Sequence, residues 1–266
     1  MRTLIVIPAR YASKRFPGKP LADIAGKTLL QRVVEVARAA CSQHSDCRFI
    51  VATDDVRIAA HAEAIAAPVV MTDPDLPSGT DRAYAAALSL SDKPDFVLNL
   101  QGDAPLTPPR LIGDLIEAAL QVDADVYTPV TQLSWDTLDE MRLQKQQTPF
   151  SGTSCLRAHN GTALWFSKTI IPAMRKEATL RAQSAHSPVY RHIGLYGYRL
   201  AALKRFTELA KGHYEALEGL EQLRFLENGL SIHTIAVTLP AASSWGVDTP
   251  QDADRVARLL KDSSTL

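Results

Sequence analysis

Three cysteines, 6% aromatic residues and no net charge are the first features of this 266-residue chain, and each is a shortage. Cys41, Cys47 and Cys155 form no CxxC motif, which argues against a zinc site. An odd, sparse set of thiols fits a reducing cytosol. Lys+Arg and Asp+Glu are both 29, which argues against a general binder of nucleic acid or membrane surfaces. No stretch approaches the roughly 18 apolar residues that span a bilayer. The apolar run in MRTLIVIPAR is too short for a signal peptide. What is present is a 46% hydrophobic, 22% charged composition over a length that buries a substantial core. One large α/β domain, or one with a smaller lobe, is expected.

The chain is organised around its opening, Thr3 to Leu21. Leu4-Ile5-Val6-Ile7 reads as a buried parallel strand that Pro8 stops. The following loop carries Arg10, Lys14, Arg15 and Lys19, and the first acid is Asp23. In open α/β sheets ligands bind at the carboxyl edge of the strands. Guanidinium forks and an ammonium there suit phosphate oxygens, and Gly18 lets backbone approach a ligand. A solvated basic loop is the other reading of the same residues.

Helix spacing follows over Gly26 to Ala40, then a strand at Arg48 to Ala52, a helix at Val56 to Ala66 capped from Thr53-Asp54-Asp55, and a strand at Pro68 to Met71. Strands alternating with helices predict an open, mostly parallel sheet with helices on both faces. Ser78-Gly79-Thr80-Asp81-Arg82 opens an alanine-rich helix as an N-cap, a place that also favours anions. Phe96 to Leu100 is a fourth strand ending in Gln101-Gly102-Asp103. A carboxylate there suits Mg²⁺, although a turn Asp serves equally well. Asp125 to Val130 is a fifth strand. Gln132 to Ser151 reads as polar and irregular, with Trp135 to Glu140 a short helix. Tyr190 to Arg199 alternates as one strand that puts His192, Gly194, Tyr196 and Tyr198 on one face. Tyr214 to Asn228 reads as one helix ending at Gly229, Ser231 to Val237 as a strand, and Asp248 precedes a last helix begun by Pro250.

The loop PARYASKRFPGKPL, Pro8 to Leu21, resembles the signature loop of sugar-activating nucleotidyltransferases, most of all the 3-deoxy-manno-octulosonate (Kdo) cytidylyltransferase, or CMP-Kdo synthetase, family. Further blocks are similar in order: Ser78 to Arg82, Gln101-Gly102-Asp103, Gly161 to Lys168, Arg191 to Arg199, Glu221-Gln222-Leu223-Arg224 and Gly246 to Asp252. The resemblance implies a single Rossmann-like nucleotidyltransferase domain, with about residues 132–200 forming a smaller substrate and dimerisation lobe. It implies CTP and a sugar acid, most of all Kdo, as substrates, Mg²⁺ as cofactor, and a cytoplasmic homodimer serving lipopolysaccharide synthesis. Neither nucleic acid nor membrane insertion is implied.

By the same resemblance Arg10, Arg15 and Lys19 are catalytic, acting on the phosphates. Pro8, Ala9, Arg10, Ser13, Ser78, Gly79, Thr80, Arg82 and Gln101 bind nucleotide. His192, Tyr196, Glu221 and Gln222 bind sugar, and Asp103 and Asp248 hold metal. Two positions depart from the family pattern: Ala104 replaces a glutamate and Ser154 a lysine. They keep open a different sugar acid, such as an amino-substituted Kdo or a nonulosonate. A non-catalytic nucleotide-binding homologue is the third reading.

Overall fold

The computed structural model describes residues 1–12, 15–239 and 246–263. In chain order the elements are β1 (Thr3–Ala9), a 3₁₀ turn (Lys19–Leu21), β2 (Asp23–Ile24), β3 (Lys27–Thr28), α1 (Leu29–Cys41), β4 (Cys47–Thr53), α2 (Val56–Ala64), β5 (Val69–Met71), α3 (Gly79–Ser89), β6 (Phe96–Asn99) and α4 (Pro109–Gln121). There follow β7 (Val126–Ser134), α5 (Trp135–Gln147), β8 (Ser154–Arg157), β9 (Ala163–Ser167), α6 (Glu177–Gln183), β10 (His186–His192), β11 (Tyr196–Arg199), α7 (Leu200–Glu208), α8 (His213–Glu218), α9 (Gln222–Glu227), β12 (Ile232–Ala236) and α10 (Pro250–Ser263). The chain divides into two units: residues 1–117, 195–203 and 240–266, and residues 118–194 and 204–239.

The first unit carries the strand order β5-β4-β1-β6-β11, parallel except for β11, which runs antiparallel to β6. Leu4, Ile5, Val6 and Ile7 are sealed from solvent, as a strand covered on both faces requires. Pro8 does not stop β1, which pairs with β4 through Ala9. Pairing with β6 has ended at Val6, so Pro8 lies where the strand has a neighbour on one side only. Helix α1 starts three residues later than the spacing predicts. Ala25 and Gly26, both at positive φ, turn the β2–β3 hairpin, and Thr28 caps α1 by accepting from the Gln31 N–H. Leu29, Leu30, Val33, Val34 and Ala37 then bury one face, each large aliphatic contributing roughly 1.5–3 kcal/mol. The Cys41 and Cys47 sulfurs, separate features in sequence, lie 2.9 Å apart at the α1–β4 connection.

The second unit has β7 between β12, parallel to it, and β10, antiparallel to it, continuing through β8 to β9. Three expectations change here and at the borders. In the segment read as irregular, the short helix expected over Trp135 to Glu140 runs on to Gln147 as the 13-residue α5, capped by Ser134 and held by a thin stripe of Trp135, Leu138 and Met141. Tyr190 to Arg199 is not one strand: β10 bonds to β7 and β8, β11 to β6, and residues 193–195 lie between. The alternation therefore does not run through one continuous strand from His192 to Tyr196. Tyr214 to Asn228 is two short helices, because Gly219 adopts a left-handed conformation (φ 63°) at the end of α8. Leu217 consequently stays exposed, while Leu223 is buried. Among the described residues no helix is long and apolar enough to cross a membrane.

Candidate active site

At the carboxyl ends of β1 and β6 the first unit encloses a cavity of about 350 Å³. Its lining includes Pro8, Ala9, Arg10, Lys19, Ser78, Gly79, Arg82, Gln101 and Asp103, nine of the residues the sequence singles out. Asp248 joins through its ion pair with Lys19, and Arg15 through its ion pair with Asp248. Thr80 is buried and is not part of the lining. Ser13 and its neighbour Lys14 lie outside the described residues.

The loop cations, without an acid near them in sequence, do meet acids in space. The Lys19 ammonium lies 2.8 Å from the Asp103 Oδ2 and 3.4 Å from the Asp248 Oδ1, and the Arg15 guanidinium is 3.1 Å from the same Asp248 oxygen. Arg10 differs: it donates to the Leu76 carbonyl oxygen. The two carboxylates are brought close by backbone. The Val247 N–H donates to the Asp103 carbonyl oxygen at 2.8 Å, docking the loop before α10 onto the end of β6. Capping of α10 falls to Thr249 and Asp252: the Asp252 carboxylate accepts from the Asp248 and Thr249 N–H groups, and the Thr249 hydroxyl accepts from the Asp252 N–H. The Asp248 side chain is thereby left to face the cations.

Gly102 is a residue that sequence reasoning passes over. A Cβ there would collide with the Pro8 carbonyl oxygen, so only glycine lets the Asp103 segment lie against β1. Gly18 serves the fold more than a ligand. It takes φ 70°, donates its N–H to the Tyr11 carbonyl, and a Cβ would press on the Tyr11 ring at 3.2 Å. That ring is covered by the Arg57 guanidinium, 3.3 Å from its centroid, which the Asp55 carboxylate grips.

Ser78 is the N-cap of α3. Its hydroxyl accepts from the Thr80 and Asp81 N–H groups at 3.1 Å and donates to the Asp81 carboxylate at 2.6 Å. Arg82 is fully buried. It pairs with Asp54 at 3.1 Å and donates to the Thr72 hydroxyl, and its Nε has no partner. Burial lowers its pKa, opposed by Asp54. Asp54, read from sequence as a capping candidate, is this arginine's counter-ion.

The sugar candidates divide between the units. Tyr196, in the first, stands opposite Asn99 in the β11–β6 register and stacks on Tyr198 at 5.9 Å. His192, Glu221 and Gln222 belong to the second. The His192 Nε2 is 2.9 Å from the Thr128 hydroxyl, and its ring meets Phe166 edge-on. Burial first, then Lys168, pushes its pKa down to about 3, so the imidazole is neutral. Gln222 is 5% exposed, and its buried Nε2 has no partner. A buried donor left unpaired costs about 1–3 kcal/mol, which a ligand acceptor would recover. At Ser154, where the resembling family has lysine, the hydroxyl donates to the Thr169 carbonyl at 2.5 Å and supplies no charge. The Lys145 ammonium of α5 donates to the carbonyls of Ser151 and Lys168, and Lys168 donates to the Thr153 hydroxyl at 3.1 Å.

A family profile described as cytidylyltransferase matches residues 4–232. This chain is a member of the cytidylyltransferase family. It is a nucleotidyltransferase enzyme, built on that family's α/β fold. Among curated relatives, the 3-deoxy-manno-octulosonate cytidylyltransferase of Maricaulis maris is 43% identical over 98% of this chain and 97% of its own length. The protein of the same name from Cytophaga hutchinsonii is 41% identical over 94% of each chain. Among solved structures, a CMP:2-keto-3-deoxy-manno-octonic acid synthetase complexed with CTP superposes with a TM-score of 0.84. It is 32% identical, and the match covers 99% of this chain and 100% of that one.

Proposed function

We propose that this cytidylyltransferase joins CTP to a 3-deoxy-2-ulosonic acid, Kdo first among them, giving the CMP-sugar and pyrophosphate. The observation that carries this reading is the cavity in which Arg10 and Lys19 stand beside Asp103, with Asp248 and Arg15 adjoining. The anomeric hydroxyl attacks the α-phosphorus and gives up its proton to solvent, a P–O bond forms, the bond from the α-phosphorus to the α–β bridging oxygen breaks, and pyrophosphate leaves with the electron pair. Such chemistry needs alignment and charge stabilisation above all. Arg10, Arg15 and Lys19 meet the phosphates and the departing pyrophosphate. Ser78, Gly79, Arg82 and Gln101, with Pro8, Ala9, Thr80 and Ser13, fix the nucleotide. His192, held neutral, exchanges hydrogen bonds with the sugar, as do Tyr196, Glu221 and Gln222, and about residues 132–200 contribute a smaller substrate lobe.

Asp103 and Asp248 fit a hard divalent cation. They offer carboxylate oxygens alone, a number Mg²⁺ accepts when phosphate and water complete its shell, and a monovalent cation, the Lys19 ammonium, already lies against both. When bound, Mg²⁺ neutralises phosphate charge and acidifies a coordinated hydroxyl. The resemblance extends the reading to a cytoplasmic homodimer acting in lipopolysaccharide synthesis.

The test is pyrophosphate release with Mg²⁺ from CTP, UTP, ATP or GTP, each with and without Kdo. Release that requires CTP and Kdo together is expected. Tight CTP binding with no release on Kdo would move the assignment to another sugar acid. Ala104 and the uncharged, internally bonded Ser154 favour that second reading, and an amino-substituted Kdo and a nonulosonate are the acids to try next.

A further inference from the structure

The Lys19 ammonium is bound as a small cation would be. It is 2.8 Å from one carboxylate and 3.4 Å from the other, with 14% of its side chain exposed. Its position is set by backbone that cannot drift far: Gly18 is held left-handed against Tyr11, and the 3₁₀ turn Lys19–Leu21 starts at once. Both carboxylates are fixed as well, Asp103 by the close approach of Gly102 to Pro8 and Asp248 by the Val247–Asp103 bond and the α10 cap. The Arg15 guanidinium shares the Asp248 Oδ1 with Lys19, so a divalent cation added at the oxygens the ammonium holds would meet strong repulsion even in a partly solvated site. Lysine also has an alternative. Its flexible stem and three donors let it turn to phosphate oxygens that enter the adjoining cavity.

We propose that in the unliganded protein Lys19 occupies the divalent-cation position, so that metal binds weakly until nucleotide phosphates draw the ammonium away. This rests on the reading of Asp103 and Asp248 as metal ligands. Its consequence is an order of events: nucleotide, alone or carrying its metal, engages Lys19 first, and the carboxylates become available because it does. By linkage, metal and nucleotide each raise the other's affinity, and Lys19 carries part of that coupling.

The experiment is Mn²⁺ titration of the full chain without nucleotide, followed by the paramagnetic signal of free Mn²⁺. Lys19→Met should bind Mn²⁺ at least about tenfold tighter than the unaltered protein, because a cation has been removed from between two carboxylates. Lys19→Arg, which keeps the charge, should bind as weakly as the unaltered protein. The gain should vanish in the double variant Lys19→Met, Asp103→Asn. Lys19→Gln repeats the measurement should Lys19→Met not fold, and thermal melts establish folding for each. Equal Mn²⁺ affinity in the unaltered protein and Lys19→Met, with Asp103→Asn weakening both, would overturn the role of Lys19 and leave the metal site standing. Absence of any binding that depends on Asp103, in every variant and also with CTP present, would overturn the metal site itself.

Discussion

Two clusters of two cations and two carboxylates, one in each unit, are put to opposite uses. In the second unit Arg142 and Arg181, on α5 and α6, face Asp139 and Glu177, and all four cation–anion contacts are made, at 2.7 to 3.0 Å. Arg142 meets Glu177 through both guanidinium nitrogens, and Arg181 also lies 4.5 Å over the Trp135 ring. Donors and acceptors are spent on one another. In the first unit Lys19, Arg15, Asp103 and Asp248 come from loops. They make three contacts, and they border a cavity. A closed cluster fastens helices. An open one keeps lone pairs and ammonium protons available for something that arrives. The residue types are alike, so the supporting backbone and the saturation of the contacts decide between structure and chemistry.

The comparison breaks most sharply at Asp103. Asp103→Asn should lower kcat about a thousandfold or more while leaving the melting temperature within a few degrees, because it removes transition-state charge balance from a part-exposed loop residue. Turnover near the unaltered rate would remove Asp103 from the reaction. Gly102→Ala is next, with a loss of roughly a hundredfold in kcat/KM expected as the new Cβ pushes the Asp103 segment off the Pro8 carbonyl. A retained rate would show that this close approach does not set the geometry of the carboxylate.

Lowering the pH separates buried from surface electrostatics. The folded state holds His192 neutral with a pKa near 3, whereas an unfolded chain binds its proton near pH 6.5. Its contribution is complete above about 6.5 and is lost as the pH falls toward 3, by up to about 2 kcal/mol at pH 5. His192→Gln should flatten a denaturation series between pH 7 and 5. An unchanged slope would mean that His192 titrates normally. Glu177, held near 2 by Arg142 and then Arg181, contributes above its unfolded value of 4.5, and that contribution is lost only as the pH falls from there toward 2.

Much of this organisation is legible as local pattern. The β1 run and the α1 face declare themselves through period and burial, and the basic loop through the density of its charge. What is not legible depends on partners distant in sequence. Nothing near Lys19 announces Asp103 or Asp248, which the Gly102–Pro8 approach and the Val247–Asp103 backbone bond bring to it. The alternation of Tyr190 to Arg199 does not record that the chain leaves one strand at His192 and starts another at Tyr196. Helix spacing from Tyr214 to Asn228 hides a break whose sign is a single glycine, Gly219, which could equally have been a tolerated helical residue. The start of helix α5 is legible but its extent to Gln147 is not, because most of its surface is polar and three buried side chains suffice to hold it. Arg82 is legible as a site candidate, but its pairing with Asp54 is not, since a capping role explains that aspartate adequately.

The smallest effect is expected at the closed cluster, and it sharpens the contrast by being small. Arg181→Ala removes the contacts to Asp139 and Glu177 and the cover over Trp135, all at a part-exposed surface. Pairs at so open a surface contribute little, so only a small fall in the denaturation midpoint is expected. Screening should erase most of it between about 0.1 and 1 M salt, where the Debye length falls from roughly 10 to 3 Å. Activity should not change, because the cluster is saturated and offers nothing to a ligand. Denaturant midpoints at the two salt concentrations, with kcat alongside, test all three statements together. A salt-independent loss would assign the effect to Trp135 packing. A fall in kcat would show that the fastening of α5 to α6 reaches the chemistry, and the distinction between closed and open clusters would then fail for this molecule.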